Sequence, residues 1–322
     1  MLYDVPAPAK VNLFLHVVGR RADGYHLLQT AFQFIDLQDT LHFERRADGR
    51  IDREFDLPGV APSDDLTLRA ARALQQASGV QDGVQIALHK TIPTGGGLGG
   101  GSSDAASTLI ALNRLWGCGL SREALMQIGL GLGADVPVFV FGQSAFAEGV
   151  GERLTALDLP VTGFVVAQPL VSVPTPEIFS ASDLTRDTFS VRITDFIAHT
   201  GLSAENDGCK QLGASFGRND LEAVACRLYP EVGQALSTMR DAVNRAQVRN
   251  ISEQGFDAVV RMSGSGACVY AQCSNLEQAA RVEQEIMATM HGPAEGSTVQ
   301  KFRLVRACPS LIEHPLRHWI AD

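Results

Sequence analysis

From Lys10 to Val18, apolar Val11, Leu13, Leu15 and Val17 alternate with Lys10, Asn12, Phe14 and His16. A period of two is that of a strand with one face in a core. The opposite face carries Lys10, Asn12 and His16, polar enough to predict that it lines a cleft. A second alternation sets Val84, Ile86 and Leu88 against Gln85, Ala87 and His89, ends at Pro93 and runs into glycines; this predicts a strand feeding a loop. Ser63-Asp64-Asp65 ahead of Leu66, Ala70, Ala73, Leu74 and Ala77 predicts a capped amphipathic helix. Ser102 or Ser103 is placed to cap another helix running through Trp116, with Ala105, Ala106, Leu109, Leu112 and Trp116 at helical spacing.

Past Leu157 the pattern restarts. An apolar strand is predicted near Phe164–Ala167, helices over Asp220–Tyr229, Pro230–Val243 and Leu276–Met290, and strands near Asp257–Arg261, Ala267–Gln272 and Val299–Ala307. Strands and helices in that order predict an α+β unit with antiparallel strands and helices on one face. Two domains are therefore expected, residues 1–157 and 158–322. Ser182–Gly217, polar and rich in Ser, Thr and Gly, is expected to be a long surface excursion within the second.

Composition narrows the function more than the fold. The chain has 322 residues, 45% hydrophobic and 20% charged, enough for two conventional cores. Its net charge of −9 and pI of about 5.4 disfavour nucleic acid or an anionic membrane as partner. A few cations and backbone N–H groups in one pocket can still hold an anionic small molecule. The six cysteines are scattered without metal-ligand spacing, and Pro6, Pro8 and Lys10 interrupt any signal-peptide run. The expectation is a soluble cytoplasmic protein, monomeric or weakly dimeric.

The strongest chemical signal is Pro93-Thr94-Gly95-Gly96-Gly97-Leu98-Gly99-Gly100-Gly101-Ser102-Ser103, directly before the helix and with six glycines in seven positions. Glycine admits positive φ and close backbone approach, so successive N–H groups can converge on an anion. The helix behind the loop adds its unsatisfied N–H groups. The pattern therefore predicts phosphate binding. It is not a Walker A loop, because no lysine follows the last glycine. A dinucleotide fingerprint is disfavoured by the His89-Lys90-Thr91-Ile92-Pro93 exit and the lack of an acid at ribose-binding spacing.

The string Pro93 to Ala106 resembles the ATP-binding motif of the galactokinase, homoserine kinase, mevalonate kinase and phosphomevalonate kinase (GHMP) superfamily. The resemblance extends to Pro8-Ala9-Lys10-Val11-Asn12-Leu13, Asp23-Gly24-Tyr25-His26, Gly133-Ala134-Asp135-Val136-Pro137, Pro174-Thr175-Pro176 with Ile178-Phe179, and Met262-Ser263-Gly264-Ser265-Gly266-Ala267. Spread over most of the chain, these strings are similar to the branch of that superfamily in the non-mevalonate isoprenoid pathway, whose substrate is a cytidine diphosphate-linked methylerythritol. The resemblance implies an N-terminal nucleotide-binding α/β domain, a C-terminal ferredoxin-like α+β domain and an active site in the cleft between them. It implies phosphorylation of the substrate's 2-hydroxyl by ATP, supplied as its Mg²⁺ complex. Lys10 and Asp135 would face the attacking hydroxyl, the one stabilising charge and the other taking its proton. Tyr25, His26 and Phe179 would form the cytosine site, the rings stacking on the base, with Asn12 and Thr175 as further polar contacts. Gly264 and Gly266 would shape a second loop over the reacting groups. Metal ligands are not assigned.

Without the resemblance, each residue has a plainer reading: Lys10 as a surface lysine, Asp135 as a turn cap, Tyr25 and Phe179 as core aromatics. Two rivals stand beside the kinase reading. One is a sister enzyme acting on mevalonate, homoserine or a sugar; the other is an RNA-binding module, against which the acidic pI counts.

Overall fold

A computed structural model describes residues 1–199, 216–248, 258–291 and 301–320. Two long antiparallel strands, β1 (Leu2–Arg20) and β2 (His26–Arg46), form its spine. Between Asn12 and Leu15 the pairing register slips by a bulge. A bulge reverses which side chains face which side. Lys10 and Asn12 therefore face the cleft as the alternation predicts, but His16 does not: it packs edge-on against Phe14, while Leu15 lines the cavity in its stead.

β3 (Ile51–Arg53) runs parallel to β4 (Gly83–His89), which pairs antiparallel with β2. Between them lies α1 (Leu66–Ser78), capped by Asp65, which accepts from the Thr67 amide at 2.9 Å, and closed by Gly79 in the left-handed region. α2 (Gly100–Leu115), α3 (Arg122–Leu130) and α4 (Val136–Phe141) follow, then the hairpin β5 (Ala145–Glu148) and β6 (Arg153–Ala156) on β2's other register. The core of this half packs Phe34, Phe43 and Leu41 of the sheet against Leu74, Leu109 and Phe139 of the helices.

The second half begins with β7 (Gly163–Pro169), α5 (Thr175–Ser180) and α6 (Ile193–His199). It continues through α7 (Glu222–Leu228), α8 (Pro230–Val248), β8 (Ala258–Met262), β9 (Val269–Cys273), α9 (Leu276–His291) and β10 (Phe302–Leu311). The antiparallel order β10-β7-β9-β8 carries α8 and α9, and its core holds Met239, Val269 and Ile286.

β10 joins the two halves. Its first residues pair with β7 and its last, Ser310 and Leu311, with Ile35 and Phe34 of β2. The chain then returns to the first half, where Leu316 and Ile320 enter the core. A third cluster seals the seam, with Val11 and Ile35 on one side, Phe164, Val166 and Tyr270 on the other, and Leu98 of the glycine loop among them.

Part of the expected excursion, residues 200–215, lies outside the described residues. The part before it differs from a surface loop. Thr188 and Val191 donate backbone N–H groups to Val17 O and Gln29 Oε1, and Phe196 of α6 is buried beside Phe14 and Phe146. Leu184 is buried in the second core, and Val191, Ile193 and Ile197 pack against the cluster that holds Phe196. Several apolar residues together thus bring this stretch down onto the body, a buried phenylalanine alone contributing about 1.5–3 kcal/mol.

Candidate active site

The glycine loop is held from below. Lys10 N donates to Leu98 O at 3.0 Å, and the turn after β8 donates to the loop through Ala267 N to Gly95 O at 3.2 Å and Cys268 N to Gly96 O at 3.1 Å. Ser263 Oγ adds a bond to Gly97 O at 3.0 Å. The fit leaves no room for a side chain at Gly97, where a Cβ would stand 2.1 Å from Ser263 O. Gly97 and Gly99 both have φ of +72°, which favours glycine. Gly99 precedes the first residue of α2, so neither Ser102 nor Ser103 caps the helix. Both lie inside its first turn; the Ser103 amide already donates to Gly99 O at 2.8 Å, while the amides before it, up to Ser102, lack intrahelical partners and lie at the cleft. Ser103 is fully buried, and its hydroxyl donates to Pro8 O at 2.7 Å, bracing helix against strand.

Lys10 is buried on β1, and three oxygens surround its ammonium: Asn12 Oδ1 at 2.6 Å, Gly97 O at 3.1 Å and Asp135 Oδ2 at 3.2 Å. The Phe32 ring lies 5.2 Å away. Asn12 is fixed in turn, since its Nδ2 donates to Thr30 Oγ1 at 3.0 Å and its carbonyl accepts from the buried Tyr270 hydroxyl at 2.9 Å. Asp135 stands at the head of α4 but makes no capping hydrogen bond with its side chain. Its carboxylate turns toward Lys10 instead.

These groups open into a cavity of about 1190 Å³. Pro93, Thr94, Gly95, Gly96, Gly97, Leu98, Gly99, Gly100, Gly101 and Ser102 line one part, and Asn12, Tyr25, His26, Thr175 and Phe179 another, with Lys10 and Asp135 also on its wall. Within the loop motif Pro93 to Ser103, Ser103 alone is off this wall, and Leu98 is largely a core residue. At the far wall the His26 and Phe179 rings sit 5.0 Å apart and Tyr25 is 63% exposed. Thr175 Oγ1 and Ser265 Oγ are hydrogen-bonded at 2.7 Å. Burial, then the charges of Arg186 and Arg20, hold the His26 imidazole below its ordinary pKa.

Two features have no role assigned from the sequence, although Asp104 falls inside the string Pro93 to Ala106. Under the loop, Lys90 is shared between Asp39 and Asp104 (2.7 Å), and Asp39 also accepts from the Ile92 amide at 2.8 Å. Burial pushes the Asp104 carboxyl well above the ordinary carboxylate range, with Lys90 pulling against it; burial works to lower Lys90, but the charges and hydrogen bonds of Asp104 and Asp39 together hold the ammonium above its ordinary pKa. Nothing in the sequence singles out Asp39, because Phe34–Leu41 also holds Asp36, Gln38 and Thr40. The second is Arg186, bonded to His26 at 3.1 Å; its sequence neighbourhood gives no sign of it.

Residues 65–143 match the family model for the GHMP kinases N terminal domain. A relative from Bordetella parapertussis, named 4-diphosphocytidyl-2-C-methyl-D-erythritol kinase, is 62% identical over all of this chain and 99% of its own. One of the same name from Ralstonia pickettii is 52% identical over 98% of this chain and 96% of its own. A crystal structure of 4-(cytidine 5'-diphospho)-2C-methyl-D-erythritol kinase superimposes with a TM-score of 0.72 at 33% identity, covering 95% of this chain and 98% of that one. A mevalonate kinase structure aligns at TM-score 0.62 with 16% identity, over 97% of this chain and 99% of that one, and shares the fold alone. Full-length identity at this level, on a chain whose glycine loop, Lys10 and Asp135 meet at one cavity, places the protein in the 4-diphosphocytidyl-2-C-methyl-D-erythritol kinase family of GHMP kinases.

Proposed function

We propose that the protein transfers the γ-phosphoryl group of ATP to the 2-hydroxyl of 4-diphosphocytidyl-2-C-methyl-D-erythritol, giving the 2-phosphate and ADP. The observation that carries this reading is the Lys10–Asp135 pair, set between the glycine loop and the Tyr25/His26/Phe179 wall of one cavity. The triphosphate takes the loop, where backbone N–H groups of Gly99 to Ser102 and the head of α2 meet its charge. The cytosine takes the aromatic wall, with Tyr25 and Phe179 offering π-faces and His26 the edge contact. Asn12 and Thr175 hold the polar middle of the substrate. Its 2-hydroxyl then stands at Lys10 and Asp135.

Phosphoryl transfer asks little covalent help of the protein and much positioning. As the hydroxyl oxygen bonds to the γ-phosphorus, the bridging bond to the β-phosphate oxygen breaks and ADP leaves. The proton passes to Asp135. Lys10, buried and held by Asn12 Oδ1 and Gly97 O, supplies a fixed cation where charge gathers, and fixed charges in a desolvated site need no reorganisation during reaction. Among the described residues no three His, Cys, Asp or Glu converge as a ready-made cage. A Mg²⁺ would arrive on the nucleotide's own phosphates, and the Ser102 hydroxyl at the head of α2 would be placed to help hold it. Bound there, the ion would neutralise charge on the β- and γ-phosphates.

The enzyme is taken to work in the cytoplasm, as a monomer or weak dimer. Five cysteines in the described residues are free, and among those residues no helix is long and apolar enough to cross a membrane. The test is a coupled ADP-release assay with diphosphocytidyl-methylerythritol, methylerythritol phosphate, mevalonate and homoserine. Turnover of the first, with little on the others, is expected. Equal kcat/KM for the first two would remove the cytosine site, and preference for mevalonate or homoserine would favour a sister activity.

A further inference from the structure

The segment after α5 contributes one side chain to the cleft, and its hydrogen bonds are specific. Arg186 Nε donates to His26 Nε2 at 3.1 Å. Its Nη2 donates to Phe179 O at 3.1 Å and Ala181 O at 2.7 Å, and its Nη1 to Leu184 O at 3.0 Å. The carbonyls at the end of α5 lack intrahelical partners, so the guanidinium meets a need that is already there. Leu184, 5% exposed, anchors the segment that delivers it. One planar group thus ties the first residue of β2 to the end of the helix that carries Phe179.

A guanidinium stays protonated at any ordinary pH and can only donate. The His26 Nε2 that accepts this hydrogen bond must therefore present a lone pair, and the neutral imidazole must carry its own hydrogen on Nδ1. Burial and the nearby Arg186 and Arg20 charges keep the ring neutral. A ring with a fixed tautomer offers a hydrogen-bond donor and not an acceptor. O2 is an acceptor in both bases, but N3 is an acceptor in cytosine and a donor in uracil, so an Nδ1–H donor facing N3 separates the two. We infer that Arg186 is a positioning residue for base specificity, holding His26 as an Nδ1–H donor and locking it in place against Phe179.

This inference rests on the base-pocket reading of Tyr25, His26 and Phe179 proposed above. It is tested in the full-length enzyme with R186Q, R186K, H26A and the double variant R186Q/H26A. Each is assayed with ATP and three acceptors: the cytidine diphosphate-linked methylerythritol, its uridine analogue and methylerythritol phosphate. R186Q is expected to raise KM for the cytidine compound about tenfold and to cut the cytidine-over-uridine preference in kcat/KM by a similar factor, the scale of one net hydrogen bond. KM for ATP should be unchanged. R186K keeps the charge but loses the fork, and should lie nearer R186Q than the wild type. On the H26A background, R186Q should take away no further preference.

A wild-type enzyme that uses methylerythritol phosphate as well as the cytidine compound would overturn the base-pocket reading, and this inference with it. A clear wild-type preference that R186Q leaves intact would overturn the inference alone, as would equal loss on the H26A background. Should R186Q fail to fold, ¹⁵N spectra of histidine-labelled wild type decide: the Nδ1–H tautomer is expected at His26, and the Nε2–H tautomer would refute the assignment.

Discussion

The ammonium of Lys10 and the carboxylate of Asp135 meet at 3.2 Å, one buried on a strand and the other a third exposed at the head of a helix. No capping bond holds Asp135, so its orientation is set by the cation. Asp135→Asn should lower kcat by about 10²–10⁴, the usual contribution of a general base, with ATP affinity nearly unmoved. A loose transition state shifts the loss toward the lower end. Lys10→Met should also lower kcat, and, if both groups act on one hydroxyl as proposed, the double variant should lose less than the two effects summed. Wild-type kcat in Asp135→Asn at saturating substrates would show that the proton leaves by another route.

The glycines of the loop separate into those that pack and those that bind. A Cβ at Gly101 would meet nothing nearer than Leu66 at 3.4 Å, whereas one at Gly97 would overlap Ser263 O at 2.1 Å with φ already positive. Gly101→Val should raise KM for ATP at least about tenfold by crowding the helix head, with a near-native Tm. Gly97→Ala should lower Tm instead, strain of this kind costing about 1–3 kcal/mol. Thermal melts beside ATP titrations check both, and the reverse pattern would exchange the roles of the two positions.

Tyr25 is mostly exposed, so its removal sacrifices little packing. Tyr25→Ala should leave Tm within a degree or two and raise KM for the cytidine substrate about 5–150-fold, the range of one base-stacking contact of about 1–3 kcal/mol. Steady-state kinetics at saturating ATP measure it. An unchanged KM would mean the ring does not touch the base.

His314 is fully buried; its Nδ1 accepts from the Leu316 amide at 3.1 Å and its Nε2 lies 3.5 Å from Ser107 Oγ. Burial, with Arg122 adding to it, depresses its pKa to about 3. The folded value lies below the unfolded one of about 6.5, so the unfolded chain binds the proton first. The stabilisation is whole above pH 6.5 and is lost progressively as pH falls toward 3, by about 1.4 kcal/mol per unit. His314→Asn should flatten stability against pH between about 4.5 and 6.5 relative to the wild type. Parallel denaturant-derived curves for the two proteins would contradict it.

Features confined to a short stretch of chain are legible in the sequence itself. The glycine loop announces itself because six glycines ahead of a helix have few other uses, and Asp65 caps α1 as its position suggests. The second unit's strands and helices follow the periodicity closely, because one buried face imposes one period. Lys10 and Asp135, 125 positions apart (135 − 10), pair only through the family motif in the sequence and through a measured distance in the structure. What the sequence hides depends on register and on partners remote in the chain. The bulge after Asn12 takes His16 away from the cleft and brings in Leu15, and no count of alternating residues reveals a register slip. Lys90 receives Asp39 and Asp104 from two other elements, and Arg186 reaches His26 across 160 positions. Periodicity reports which face of an element is buried, since that follows from local geometry and hydrophobicity. Which buried polar groups meet there is decided only when strands such as β10 join the two halves, because their hydrogen bonds and charges are satisfied across the fold rather than along the chain.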